Sequence, residues 1–356
     1  MIPVAHPDLH RLSRASRCAR WAAVRSGAAA LLVLCSMAHA QVCGETKRDP
    51  AGAVPQDRAL YIVIGQSNAA GLASVKDLVP PGRDYVSPDT RYPNVQIYGI
   101  RGAEAGVAGN DDAARSTGVA WSTFARWYVV QPGFGFKNVK GNEEFFPRGS
   151  TALDLFGPEV HLSAYLNEEL PKEHFIVKLA ISNTTLAAVP GADSWTPGGH
   201  LYQELLKMVA HAYQEKAGKI RLRVGAVFLV QGESDATNPK WAAAYERNIS
   251  HFIQRLRADL FQMGCSNFKN IPFVMSRVQD NVAWPFREPV RRAQEKASRT
   301  QIRVTLIDTD DLNEHFTAGG SHFNEYAQVK LGERFYLALR PRSAQFALPP
   351  EQRRRH

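Results

Sequence analysis

From residue 59 onward, short apolar runs rich in β-branched residues alternate with longer segments whose apolar positions recur every three or four residues. Six such runs predict strands, at 60–65, 95–98, 175–181, 224–230, 271–276 and 304–308. Helical periodicity fills 159–170, 201–215, 239–261, 288–299 and 324–339. In the third of these helices Trp241, Tyr245, Ile249, Phe252, Leu256 and Leu260 make one stripe, behind a Pro239 suited to the first turn. Strands alternating with amphipathic helices predict an α/β fold, a mostly parallel sheet covered by helices on both faces. Ligands of such sheets bind beyond the carboxyl ends of the strands, so chemistry is expected from residues that directly follow a strand.

Two stretches break the alternation. Residues 41–58 are polar and read as a lead-in to the main domain at 59–342. An insertion at about 99–150 is rich in Gly and aromatics, including Trp121, Phe124, Trp127, Tyr128, Phe134, Phe136, Phe145 and Phe146. A stretch of that length either walls a cleft or packs into the core.

At 44% hydrophobic and 22% charged residues the chain is neither collagen-like, coiled-coil nor wholly disordered. A net charge of +9 raises the question of a nucleic-acid partner, which the positions of the charges answer. Residues 1–40 hold five Arg (Arg11, Arg14, Arg17, Arg20, Arg25) against one acid, Asp8, and Arg353, Arg354 and Arg355 lie in a basic tail at 343–356. No internal segment interleaves basic and aromatic residues, so no nucleic-acid partner is expected.

The same N-terminus reads as an export signal over 1–40: a basic stretch to Arg25, an apolar run from Ala28 to Leu34, and Ala38-His39-Ala40 as a cleavage site. The run is too short to span a bilayer, which takes roughly 20 apolar residues, so no stable membrane insertion is expected and the location is periplasmic or secreted. A lipoprotein reading through Cys35 is weaker, because Leu34 stands where a small residue belongs. Cys43 and Cys265 remain after cleavage, either as one disulfide or as two free thiols. No Cys/His cluster has zinc spacing, so neither a metal nor another cofactor is expected.

Three sequence blocks carry candidate chemistry. The first predicted strand runs into Gly65-Gln66-Ser67-Asn68, with Gly71 three residues on. A Ser at that place in a parallel sheet is either a presented nucleophile or a helix cap. The strand ending at Val230 runs into Gln231-Gly232-Glu233-Ser234-Asp235, which offers a side-chain amide or a polar turn. His322, in Ser321-His322-Phe323-Asn324, precedes the last helix on the same rim and is a candidate base for Ser67.

Together with Phe156-Gly157-Pro158-Glu159, which opens a helix, these blocks resemble those of the SGNH hydrolases, and within them the carbohydrate acetylesterases of the sialate O-acetylesterase type. The resemblance covers about residues 59–340 and implies a flavodoxin-like three-layer α/β/α sandwich. It marks Ser67 as nucleophile, His322 as base, and Ser67 N–H, Gly157 N–H and the Gln231 amide as oxyanion donors. The implied partner is an acetylated carbohydrate. The implied reaction is removal of its O-acetyl groups by a Ser–His dyad or triad.

One position departs from the family pattern. Gly319 stands three residues before His322, where the family has an Asp that orients the imidazole. Asp308, Asp310, Asp311 and Glu314 lie upstream, and His315, close to two of them, is a rival base. His322 is preferred because it alone carries the Phe-Asn continuation into the last helix. An esterase for another acyl group or alcohol, and an inactive carbohydrate-binding descendant, are the alternatives this gap leaves.

Overall fold

The computed structural model describes residues 42–43, 56–77, 86–102, 121–136, 148–169 and 172–340. The expected export signal with Cys35, the basic tail at 343–356, and Phe145 and Phe146 of the insertion lie outside the described residues.

The strands are β1 (Gln56–Gly65), β2 (Ala73–Ser74), β3 (Tyr92–Gly99), β4 (Arg126–Val130), β5 (Leu155–Phe156), β6 (His174–Ala180), β7 (Ile220–Val230), β8 (Phe273–Ser276) and β9 (Val304–Ile307). The helices are α1 (Ser67–Ala70), α2 (Trp121–Phe124), α3 (Pro158–Asn167), α4 (His200–Lys216), α5 (Pro239–Gln262), α6 (Arg287–Thr300) and α7 (Glu325–Leu339). All six predicted strands and all five predicted helices are present, with shifted ends. The largest shifts are at the starts of β1 and β7, each four residues earlier than expected, because Gln56, Asp57 and Arg58 pair with Ile220, Arg221 and Leu222.

The main sheet has the order β4-β3-β6-β1-β7-β8-β9. Its stretch β6-β1-β7-β8-β9 is parallel and has the flavodoxin-like order, in which the first strand lies between the second and the third. β3 adds in parallel to the free edge of β6, and β4 pairs antiparallel with β3. That edge hairpin comes from the segment between β1 and β6, so the insertion supplies a strand as well as loops. Leu155 and Phe156 make a separate two-residue ladder with Ala73 and Ser74.

β1 shows how the layers are built. Leu60, Ile62 and Ile64 face the cluster that holds the buried sides of α4, α5 and α6, whereas Tyr61 and Val63 face the cluster of α3 and α7. A strand buried on both faces needs apolar residues throughout rather than in alternation. Burying each such side chain stabilises the fold by roughly 1.5–3 kcal/mol. The α5 stripe lies fully inside from Tyr245 to Leu260, while Trp241 at its start is only half-buried. Asn238 caps that helix, its Oδ1 accepting from Lys240 N at 2.9 Å, and Pro239 occupies the first turn.

Cys43 and Cys265 form a disulfide, and Cys43 N–H donates to Met263 O at 2.8 Å. On the opposite layer, a Cβ at Gly332 would lie 2.5 Å from Pro158 O and 2.7 Å from Leu162 N. Its lack of a side chain lets α7, which follows His322, lie directly on the first turn of α3, which follows Gly157.

Candidate active site

The site begins where β1 ends. Gly65 has φ +141°, and a Cβ there would fall 1.9 Å from Val230 O, so only glycine passes β7 at this point. Gln66 N–H then donates to the same Val230 carbonyl at 3.0 Å, and Ser67 opens α1 with 5% of its surface exposed. The short helix closes at Gly71, φ +90°, where a Cβ would lie 2.2 Å from Gly157 Cα. That close approach brings Gly157 against the serine turn.

Asn68, the residue after Ser67, joins the blocks. Its Nδ2 donates to Glu233 Oε1 at 2.8 Å, and its Oδ1 accepts from Phe323 N at 2.9 Å. Its carbonyl accepts from Gln328 Nε2 at 3.1 Å. Gln66 Oε1 in turn accepts from Ser234 N at 3.1 Å. Asn68 is fully buried and Glu233 nearly so. Burial pushes the Glu233 carboxyl above the ordinary carboxylate range, against the Asn68 bond that favours its ionised form.

His322 sits on a hairpin-like loop between β9 and α7. Phe316 and Phe323 bridge across it with stacked rings, Thr317 N–H donates to His322 O at 2.8 Å, and Asn324 N–H donates to His315 O at 3.0 Å. Ser321 Oγ lies 3.4 Å from His322 Nδ1. Burial lowers the His322 imidazole to about 4, so the ring is neutral at physiological pH. Gly319 is exposed at the tip of the loop, beside Gly320, whose carbonyl accepts from Asn281 Nδ2 at 2.7 Å.

Three of the upstream acids, Asp308, Asp310 and Asp311, have arginine partners. Asp310 takes Arg291 at 2.8 Å and Arg277 at 3.0 Å, and Asp311 takes Arg334 at 2.5 Å. These bonds hold both carboxyls below the ordinary range against the opposing effect of burial. Asp308 accepts from Arg277 at 3.4 Å. The rival base His315 packs its ring on Tyr326, with centroids 4.3 Å apart.

The two expected side donors are engaged within the protein. Gln231 Nε2 donates to Asp235 Oδ2 at 2.6 Å and to Thr184 O at 3.3 Å, while its Oε1 accepts from Tyr245 OH at 3.1 Å. Asp235 also accepts from Leu186 N and Ala187 N at 2.9 and 3.0 Å, which clamps the loop after β6 to the end of β7. Burial raises the Asp235 carboxyl to about 6 in spite of these bonds. Gly157 N–H donates to Glu159 Oε1 at 3.2 Å, and the other Glu159 oxygen pairs with Lys178 Nζ at 2.5 Å.

Ser67, Gly157, Gln231 and His322 are thus gathered at one rim by Asn68, Glu233, Gly71 and Gly65. The first two of these linkers stood in the sequence blocks without a role, and Lys178, a lysine inside an apolar strand, was a visible but unused signal. Beside the rim, Ile100, Trp121, Phe134, Gly135, Lys178, Leu179, Ala180 and Ile181 line a recess of about 390 Å³, its mouth included. Trp121 and Phe134 are also buried in the core, so this part of the insertion both walls a recess and packs. Among the described residues no cluster of His, Cys, Asp and Glu is arranged to hold a metal ion, and no helix is long and apolar enough to cross a membrane.

The fold is shared with solved structures of low sequence identity. A protein from Arabidopsis thaliana aligns at a TM-score of 0.54 and 20% identity, over 80% of this chain and 98% of that one. NanS aligns at 0.55 and 15% identity, over 83% of this chain and 99% of its own. No curated protein matches the sequence at a significant level. The family model for the carbohydrate esterases termed sialic acid-specific acetylesterases matches residues 57–340, a span that includes every block described above. With four-fifths of its length and all of its rim residues inside that match, the chain belongs to this family of carbohydrate acetylesterases, hydrolases that act on ester bonds.

Proposed function

We propose that the protein removes O-acetyl groups from a carbohydrate, with Ser67 as nucleophile and His322 as base. The observation that carries this reading is the bond from Phe323 N–H to Asn68 Oδ1, which ties the residue after His322 to the residue after Ser67. A half-buried, neutral imidazole is in the protonation state a general base needs. Ser67 Oγ attacks the acetyl carbonyl and passes its proton to His322. The tetrahedral oxyanion is met by the Ser67 and Gly157 N–H groups and the Gln231 amide. His322 then protonates the leaving sugar oxygen, and water, activated by the same imidazole, releases acetate from Ser67. Gly157 N–H must share its hydrogen between Glu159 and the oxyanion, and Gln231 must exchange its 3.3 Å bond to Thr184. Of its two bonds that one is the longer, hence the weaker.

The Cys43–Cys265 disulfide supports a site of action outside the cytoplasm, in line with the basic and apolar N-terminus. Gly319 favours one second reading, an inactive sugar-binding protein. Turnover of 4-nitrophenyl acetate by the wild type, lost in both Ser67→Ala and His322→Ala, supports the esterase. Absence of turnover on that ester and on a panel of O-acetylated sugars overturns it, and acetate release across the panel names the substrate.

A further inference from the structure

The site is underlain by a buried ion pair that no step above uses. Lys178, in the middle of β6, is 6% exposed, and Glu159, in the first turn of α3, is fully buried. Lys178 Nζ donates to Glu159 Oε2 at 2.5 Å and to Ala70 O, in the serine helix, at 2.8 Å. Glu159 Oε1 accepts from Gly157 N at 3.2 Å. The pair therefore forms one chain of hydrogen bonds, from the helix that begins at Ser67 to the amide assigned as an oxyanion donor. There is no slack in the gap it spans: a Cβ at Gly157 would lie 2.7 Å from Ala70 O and 2.7 Å from Glu159 Oε2. A plain structural lysine would sit at the surface with its head in water. Here both charges are taken out of water, which is costly unless the pair fixes something that an apolar pair would not.

We propose that Lys178 and Glu159 are a positioning pair that sets the distance and direction of the Gly157 amide relative to Ser67. This rests on the esterase reading above, and it concerns placement rather than contact with the reacting atoms. The test uses the fact that breaking a buried pair leaves one uncompensated charge, whereas neutralising both partners restores the balance. Lys178→Met and Glu159→Gln are each expected to lower the thermal midpoint, and the double variant to recover most of it. Activity should part company with stability there: kcat for 4-nitrophenyl acetate in the double variant stays about 10- to 100-fold below wild type, with KM changed less than threefold. Wild-type kcat in a folded double variant overturns the proposal, because the pair would then be structural only. Glu159→Asp keeps the charge but withdraws the carboxylate from Gly157 N–H, so it should lower kcat in a variant that still folds, and an unchanged kcat there counts equally against the idea. Hydrogen exchange gives a readout independent of activity. The peptide containing Gly157 should exchange about tenfold faster in the double variant while α5 is unaffected, and unchanged protection refutes the positioning role even if Ser67 proves not to be a nucleophile.

Discussion

Phe323 N–H donates to Asn68 Oδ1 at 2.9 Å across 255 residues of chain, and the two residues it joins directly follow His322 and Ser67. The same Asn68 amide gives its Nδ2 hydrogen to the buried Glu233. One side chain thereby fixes the base loop to the nucleophile turn and both to the end of β7. Asn68→Ala leaves Phe323 N–H and a Glu233 oxygen buried without these partners. At roughly 1–3 kcal/mol for each orphaned group, stability should fall by about 2–4 kcal/mol in denaturant titration. Turnover of 4-nitrophenyl acetate should fall by up to about 100-fold through misplacement alone. A variant that is destabilised yet fully active would show that the bond serves the fold and not the site.

The arginine partners of the upstream acids lead to a second expectation. Asp310→Ala removes a partner of both Arg291 and Arg277, and Asp311→Ala one of Arg334; because both aspartates are well exposed, each pair lost costs about 1 kcal/mol or less. Both should keep measurable turnover, while His322→Ala abolishes most of it. Gly319 lies at the exposed tip of the loop and has no positive φ, so Asp is tolerated by the backbone there. Gly319→Asp is expected to raise kcat, since an orienting carboxylate would be added to a base that works without one from that position. Loss of activity in Asp310→Ala or Asp311→Ala as complete as in His322→Ala would identify a relocated acid.

Burial of His322 sets the acid limit of activity. With its folded value lowered to about 4, the imidazole stays unprotonated well below the ordinary histidine range. The kcat/KM profile should therefore be level from neutrality to about pH 5 and fall only toward pH 4. Linkage gives the stability counterpart. Between about pH 6.5 and 4 the unfolded chain binds a proton at this residue that the folded chain does not, so its contribution to stability declines as pH falls through that window. An acid limb near pH 6.5 in the kinetic profile would contradict the half-buried, neutral ring.

Most of the framework was legible in the sequence because buried parallel strands and amphipathic helices leave strong periodic signals. β1 and α5 are examples, the one continuously apolar and the other striped. The edge hairpin of β3 and β4 was not legible in full. Arg126–Val130 is a half-exposed strand inside an aromatic-rich segment, and its pairing depends on β3 and not on its own pattern. At the site, the sequence blocks pointed to Ser67, Gly157, Gln231 and His322, but not to the bonds that organise them. Which acceptor the Gln231 amide meets, or that Lys178 pairs with Glu159, is decided by contacts between segments far apart in the chain. No local spacing encodes those contacts.

Gln231 and Asp235 give the sharpest remaining test, because one hydrogen bond serves two roles. Asp235 holds Gln231 Nε2 at 2.6 Å and also takes the Leu186 and Ala187 amides. If Gln231 supplies an oxyanion donor, Gln231→Ala should lower kcat by roughly 100- to 1000-fold with KM little changed. Asp235→Asn should act differently. An Asn has only one oxygen to offer, so its amide nitrogen faces at least one of the three donors, and stability should fall by about 1–3 kcal/mol. Because the Asp235 carboxyl is raised to about 6, its proton is bound more tightly in the folded state, and the wild type loses stability at this residue as pH rises from about 4 to 6. The Asn variant, which has no proton to lose, should lack that decline, so its deficit relative to wild type should be largest at low pH and shrink toward pH 7. Denaturant titrations at pH 4 and pH 7 measure this directly. A deficit that instead grows with pH would mean that the ionised carboxylate, through its three bonds, is the favoured folded form. A Gln231→Ala variant with wild-type kcat would leave Gln231 as the packing partner of Asp235 and Tyr245 and remove it from the oxyanion site.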